Sequence, residues 1–131
     1  MTPVHRSLAG DVLAFDLDAE MRTVREQLTA GPARIARTLV KEGALRLTLV
    51  GLSPGGTLRP HQVDAPIAIL VLDGEILLEA GGETRSLPTG SLAALDAGVR
   101  HAASAPRGGF FLLTLAVRER SDVSAGGSTK T

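Results

Sequence analysis

The sequence contains no cysteine, which excludes several classes of site at once. Without thiols the chain can form no disulfide, no zinc–thiolate site and no cysteine nucleophile. Tryptophan and tyrosine are also absent, and the aromatic content of 2% consists of three phenylalanines. Hydrophobic residues nevertheless make up 44% of the chain, so a core built from leucine, valine, isoleucine and alanine is expected.

An excess of charge of either sign is also lacking, since 14 basic residues balance 14 acidic ones. Neither nucleic acid nor an anionic membrane surface is therefore an expected partner. Residues 1–15 are interrupted by Pro3, Arg6 and Asp11, which is not the pattern of a signal peptide. No stretch reaches the length of a membrane span. We expect a cytoplasmic protein.

One amphipathic helix is predicted over residues 17–29. Apolar residues recur at spacings of four, three and four along one face, at Leu17, Met21, Val24 and Leu28. Asp16 or Asp18 is suited to cap its N-terminus, and Gly31-Pro32 marks its end.

From residue 33 onward the pattern changes to short β-compatible segments with a turn signal every 8–12 residues. Residues 41–43 predict a tight turn, Asp73-Gly74 a type I′ hairpin, and Gly81-Gly82 and residues 87–90 two further hairpins. About eight strands in an antiparallel sandwich or barrel are expected. The predicted organisation is an arm and helix packed on the barrel (1–32), the barrel itself (33–118) and a flexible tail (119–131).

Glycines and histidines recur at characteristic distances in the middle of the chain. Gly55, five residues and His61 precede Gly74, and Gly90 is followed by Gly98 and His101. In this spacing the sequence resembles the two motifs of the cupin superfamily, G-x5-H-x-H-x3,4-E-x6-G and G-x5-P-x-G-x2-H-x3-N, over residues 45–117. The resemblance implies an all-β fold, a double-stranded β-helix (jelly-roll) barrel, here with one N-terminal helix.

Two of the four metal ligands of the cupin motifs are replaced in this sequence. The resemblance places Val63 at the second histidine and Ile67 at the glutamate, so that only His61 and His101 remain. Asp96 and Ala105 replace the proline and asparagine of the second motif. Metal sites of this kind usually have three or more protein ligands. We therefore expect no tightly held metal, and at most a weakly bound divalent ion (Zn, Ni, Mn or Fe) at His61 and His101.

Strand parity predicts which side chains face the inside of the barrel. If the cupin register holds, the ligand pocket comprises His61, Val63, Ile67, Ile69, Val71, His101, Ala103 and Ala105. Such a lining suits a small, largely apolar molecule carrying one or two polar groups. Alternatively, these side chains fill the barrel and leave no cavity. No catalytic residue can be assigned.

The sequence is compatible with three functions. The first is a cupin that binds a small molecule without a tightly held metal. The second is a metal-dependent cupin enzyme (a dioxygenase, isomerase or decarboxylase) that uses His61 and His101. The third is a dimerisation or partner-docking module. A homodimer is expected in each case, because residues 33–52 offer strands whose edges need covering.

Overall fold

The structure of the protein, a computed structural model, describes residues 12–117. It consists of one helix and eight strands. The elements are α1 (Leu17–Leu28), β1 (Arg34–Glu42), β2 (Leu45–Leu52), β3 (Gly56–His61), β4 (Ile67–Ala80), β5 (Glu83–Pro88), β6 (Leu92–Leu95), β7 (His101–Ala105) and β8 (Gly109–Ala116).

Helix α1 begins where the sequence predicts it. The side chain of Asp16 accepts hydrogen bonds from the backbone N–H groups of Asp18 and Ala19, so Asp16 is the N-cap. This satisfies donors that the first turn of a helix leaves unpaired. The helix ends at Leu28, one residue before the predicted end, and Gly31 follows with a φ of 125°.

The strands pair in the antiparallel order β1-β2-β8-β4-β7-β3, and β5 and β6 both pair with β4. We call β1, β2, β8, β6 and residues 67–71 of β4 the helix-side sheet. The histidine-side sheet contains β3, β7, β5 and residues 75–80 of β4. The N–H of Ser53 donates to the carbonyl of Ala33, which brings the start of β1 beside β3. The predicted all-β jelly-roll barrel with one helix is confirmed.

The hairpin predicted at Asp73-Gly74 is wrong. Residues 67–72 and 75–80 do not pair with each other, because they form the single strand β4, which passes from one sheet to the other. Gly74 has a φ of 83°, and a Cβ at this position would lie 2.6 Å from the carbonyl oxygen of Gly108. Asp-Gly marks a place where the backbone needs positive φ, and here that conformation makes a bend rather than a chain reversal.

The other turn signals have mixed outcomes. Gly43 joins β1 to β2, and Gly81-Gly82 joins β4 to β5, so both are hairpin turns as predicted. Residues 87–90 form a turn but not a hairpin, because β5 and β6 pair with opposite halves of β4.

Hydrophobic residues form two packed layers. The first fills the barrel and includes Val50, Val71, Ile76 and Phe111. The second lies between α1 and the outer face of the helix-side sheet, where Val24 and Leu49 are both fully buried. Both faces of this sheet are therefore buried. Because β2 alternates, Leu47 and Leu49 face the helix, whereas Arg46 and Val50 face the inside of the barrel.

The topology places two rows of inward-facing residues at one end of the barrel, which we call the mouth. In the helix-side sheet, β2, β8 and β4 align Arg46, Leu115 and Ile67 in register. In the histidine-side sheet, β3, β7 and β4 align His61, His101 and Ala80. The connections 62–66 and 96–100 each join the two sheets at this end. The N–H of Gly98 donates to the carbonyl of Val63, which ties these connections together.

The predicted flexible tail and most of the predicted arm lie outside the described residues. In the part of the chain that the structure describes, no helix combines the length and hydrophobicity needed to cross a membrane.

Candidate functional site

The two histidines singled out from the sequence are neighbours on adjacent strands at the mouth. Strands β3 and β7 pair with His61 directly opposite His101. A bulge between Leu58 and His61 adds one residue to β3, which turns the His61 side chain to the same face as Leu58. The ring centroids are 4.3 Å apart with an interplanar angle of 57°. We call these two residues the histidine pair.

Hydrogen bonds to backbone carbonyls fix the protons of both rings. Nδ1 of His61 lies 2.9 Å from the carbonyl oxygen of Arg59, and Nδ1 of His101 lies 3.0 Å from that of Val99. A carbonyl can only accept, so each Nδ1 must carry the hydrogen. A neutral ring in this tautomer keeps a free lone pair on Nε2. The histidine pair therefore presents two Nε2 acceptors that can bind a ligand.

The two members of the histidine pair differ in exposure. His101 is 7% exposed, whereas His61 is open to solvent. His101 thus belongs to the wall of the barrel, and His61 forms part of its rim. A molecule arriving from solution meets His61 first.

Five other predicted pocket residues pack together beneath the histidine pair. Ile67, Ile69 and Val71 on β4 and Ala103 and Ala105 on β7 are buried in one hydrophobic cluster. Val63 is partly buried in the connection 62–66. The interior below the histidine pair is therefore a hydrocarbon floor.

An open cleft adjoins His101 at the mouth. Its volume is about 580 Å³, and its lining combines the β4–β5 hairpin with the start of β7. The lining includes Pro60, Ala80, Gly81, Val99, Arg100 and His101. This cleft lies at the rim, beside His101, rather than among the packed residues of the floor.

The residues of the mouth do not fit a tightly held metal. Among residues 12–117, no group of three or more His, Cys, Asp and Glu side chains is placed to hold an ion. Asp64 is exposed in the connection 62–66, and Glu75 lies near the bend of β4, where it contacts Ser86 and Arg107. The Nδ1–H bonds to carbonyls are of the kind that orient metal-ligating histidines. The donor set therefore has fewer ligands than a tightly held metal usually needs.

Arg46 is a mouth residue that the sequence analysis did not single out. Alternation of Leu45, Leu47 and Leu49 with Arg46 ordinarily places the arginine toward solvent. Here α1 covers the outer face, so the arginine turns inward. The apolar residues Val50 and Leu52 on the same side of β2 were the signal that this face is also buried.

Comparisons with known proteins agree with this architecture. No family model and no curated protein matches the chain. Among solved structures, a cupin 2 conserved barrel domain protein from Leptotrichia buccalis is 28% identical, with a TM-score of 0.62 over 66% of this chain and 41% of that one. An RmlC-like cupin from Shewanella frigidimarina is 20% identical, with a TM-score of 0.64 over 69% and 81% of the two chains.

An enzyme is also among the similar structures. Salicylate 1,2-dioxygenase from Pseudoaminobacter salicylatoxidans is 18% identical, with a TM-score of 0.69 over 78% of this chain and 32% of that one. At this identity the likeness concerns the fold alone. The jelly-roll topology and the cupin barrels among the similar structures show that the chain has the fold of the cupin superfamily.

Proposed function

We propose that this protein binds a small, largely apolar molecule at the mouth of the barrel, without a tightly held metal. The observation that carries the proposal is the histidine pair, whose two Nε2 atoms are free to accept hydrogen bonds above a hydrocarbon floor. Pockets for small molecules usually combine apolar walls with a few placed polar groups.

The chemistry of the histidine pair limits the ligand. Because both rings hold their hydrogen on Nδ1, neutral Nε2 atoms accept hydrogen bonds and donate none. A hydroxyl or N–H group on the ligand would satisfy them. The cleft of about 580 Å³ that adjoins this site is lined by His101 but not by His61, and its volume falls within the usual range for small-molecule sites.

Calorimetric titration with phenol and with anisole tests this proposal. The two probes have similar shapes, but only phenol can donate a hydrogen bond to Nε2. We expect phenol to bind more tightly than anisole, and His61→Ala to remove most of that difference. Gln62→Ala, an exposed neighbour, is the matched control and should retain it. Equal binding of phenol and anisole to the parent protein would count against the proposal.

A metal-dependent enzyme is the second candidate, and the orientation of the two rings favours it. Nδ1–H bonds to the carbonyls of Arg59 and Val99 direct both Nε2 atoms away from the backbone, as in many metal-binding histidines. Metal analysis of protein purified without an affinity tag separates the two candidates. Near-stoichiometric Fe, Mn, Ni or Zn that disappears in His61→Ala would favour the enzyme. A metal-free parent that binds phenol supports the metal-free site.

A further inference from the structure

Arg46 points into the barrel at the level of the mouth. It lies near the start of β2, in register with Leu115 of β8, which is in turn in register with Ile67 of β4. Val50, on the same face of β2, belongs to the cluster that fills the barrel, and so does Leu115 at its margin. Strand alternation therefore places the Arg46 side chain on this inner face.

The Nε atom of Arg46 is buried and makes no hydrogen bond among residues 12–117, whereas the side chain as a whole is partly buried. By contrast, the side chains of Arg25, Arg37, Arg85 and Arg107 each contact a carboxylate. A buried donor without an acceptor is unfavourable. Among residues 12–117, Arg46 therefore offers an inward-facing N–H group that an anion from outside could satisfy.

We infer that Arg46 binds the carboxylate of a small organic acid whose apolar body lies across the mouth toward the histidine pair. This inference rests on the proposed function and names the class of ligand. Arg46 and the histidine pair belong to the rows that line the mouth in opposite sheets. Packed sheets lie roughly 10 Å apart, a distance that a small molecule can span. Ile67 and Leu115 lie beside Arg46 in its row and supply an apolar surface for the body of the acid.

A carboxylate suits Arg46 better than a phosphate does. The guanidinium presents Nε–H and Nη–H side by side, a geometry that matches the two oxygens of a carboxylate. Both groups bind arginine, but a doubly charged phosphate loses more hydration on entering a hydrocarbon-lined mouth. The leucine and isoleucine side chains of the row favour the singly charged group with an apolar body.

Titration with benzoate and hexanoate tests the inference, with benzamide, hexanamide and inorganic phosphate as comparison probes. We expect both carboxylates to bind the parent at least tenfold more tightly than their amides and than phosphate. Arg46→Met should weaken carboxylate binding at least tenfold, and Arg46→Lys should weaken it less. Arg22→Met, on the exposed face of α1, is the matched control and should bind as the parent does. Without ligand, Arg46→Met should melt at or above the parent temperature, because it removes an unpaired buried donor.

Four results would overturn the inference. The first is that the parent and Arg46→Met bind the carboxylates equally tightly, and the second is that the parent does not bind them at all. The third is that the parent binds phosphate as tightly as it binds the carboxylates. The fourth is that Arg46→Met without ligand melts at a temperature well below that of Arg22→Met. The last result would mean that Arg46 already has a partner within the protein. The comparison of phenol with anisole in His61→Ala does not involve Arg46, so failure of this inference and failure of the proposed function are distinguishable.

Discussion

His61 and His101 carry the same ring with the same hydrogen-bond pattern, but they are embedded differently. His101 is 7% exposed and contacts the barrel wall, whereas His61 stands at the rim. The buried ring of His101 packs in the wall and donates a hydrogen bond to the carbonyl of Val99. Removing the ring therefore loses packing contacts and leaves this carbonyl without its donor. The exposed ring contributes little to folding, which leaves it free to serve binding.

The first prediction follows from this difference. His101→Ala should lower the free energy of unfolding by about 2 kcal/mol, because it opens space in the wall and leaves the Val99 carbonyl without its donor. His61→Ala should change it by less than about 0.5 kcal/mol, as is usual for exposed positions. Urea denaturation of the two variants measures both values. A larger loss for His61→Ala would show that the rim residue is structural.

Individual residues of the mouth could be predicted from the sequence only where they belong to a recognisable motif. The spacings from Gly55 to His61 and from Gly98 to His101 carry the resemblance that predicted the two histidines to face one cavity, and the structure brings their rings together. Arg46 carries no such mark, because its direction depends on a helix covering the opposite face of β2. The alternation of residues 45–49 alone does not show that both faces of the sheet are buried, and only Val50 and Leu52, further along the strand, indicate it.

At the scale of elements, β4 determines how the two sheets are connected. This 14-residue strand belongs to both sheets and bends near Gly74. A side chain at Gly74 would meet backbone atoms, with a Cβ 2.6 Å from the Gly108 oxygen and 2.9 Å from the Gly109 Cα. Backbone atoms cannot rotate away as the end of a side chain can, so the bend depends on the absence of a Cβ.

Gly74→Ala and Gly90→Ala form a matched pair that tests this point. Both glycines have positive φ, 83° and 91°, but nothing lies within 4 Å of a Cβ placed at Gly90. Gly90→Ala should cost about 1–2 kcal/mol from backbone strain alone. Gly74→Ala adds the steric conflict and should cost about 3 kcal/mol or more. Equal losses in urea denaturation would mean that β8 can move away from the bend without penalty.

Most elements could be predicted, but the connections between some of them could not. The period of α1, its Asp16 cap and the hairpins at Gly43 and Gly81-Gly82 follow from local signals, and the structure confirms them. Asp73-Gly74 gives the same local signal for a bend as for a hairpin, because both need positive φ. Only the partners of residues 67–72 and 75–80 distinguish the two, and those partners lie far away in the sequence.

At the scale of the whole molecule, β1 offers an edge for association. It is the end of the sheet order and pairs with β2 alone among the described strands, whereas β2 lies between β1 and β8. Of the two strands within residues 33–52 that were expected to offer an edge, only β1 therefore does so. Unpaired backbone groups along such an edge favour pairing with another chain.

We predict a homodimer in solution. The edge of β1 can pair with a second copy, which would satisfy its free backbone groups. Light scattering at micromolar concentration should give twice the chain mass of 13.6 kDa. Replacing Ala36 with proline should shift the protein toward the monomer if its N–H lies on the free edge, since proline removes a donor from that edge. A clean 13.6 kDa species for the parent would contradict the prediction.

We propose that the mouth retains a histidine pair without the ligands for a tightly held metal. If the cupin register holds, Val63→His combined with Ile67→Glu restores a set of three histidines and one glutamate. Without metal, this double variant should be less stable than the parent by several kcal/mol, on the order of the cost of burying unpaired polar groups. Metal that binds the folded state alone should recover part of that loss.

Calorimetric melting of the parent and of the double variant, with and without Mn, Ni or Zn, tests this claim most directly. We expect metal to leave the melting temperature of the parent unchanged and to raise that of the double variant. An equal rise in both proteins would contradict it, because the parent would then already hold a working metal site.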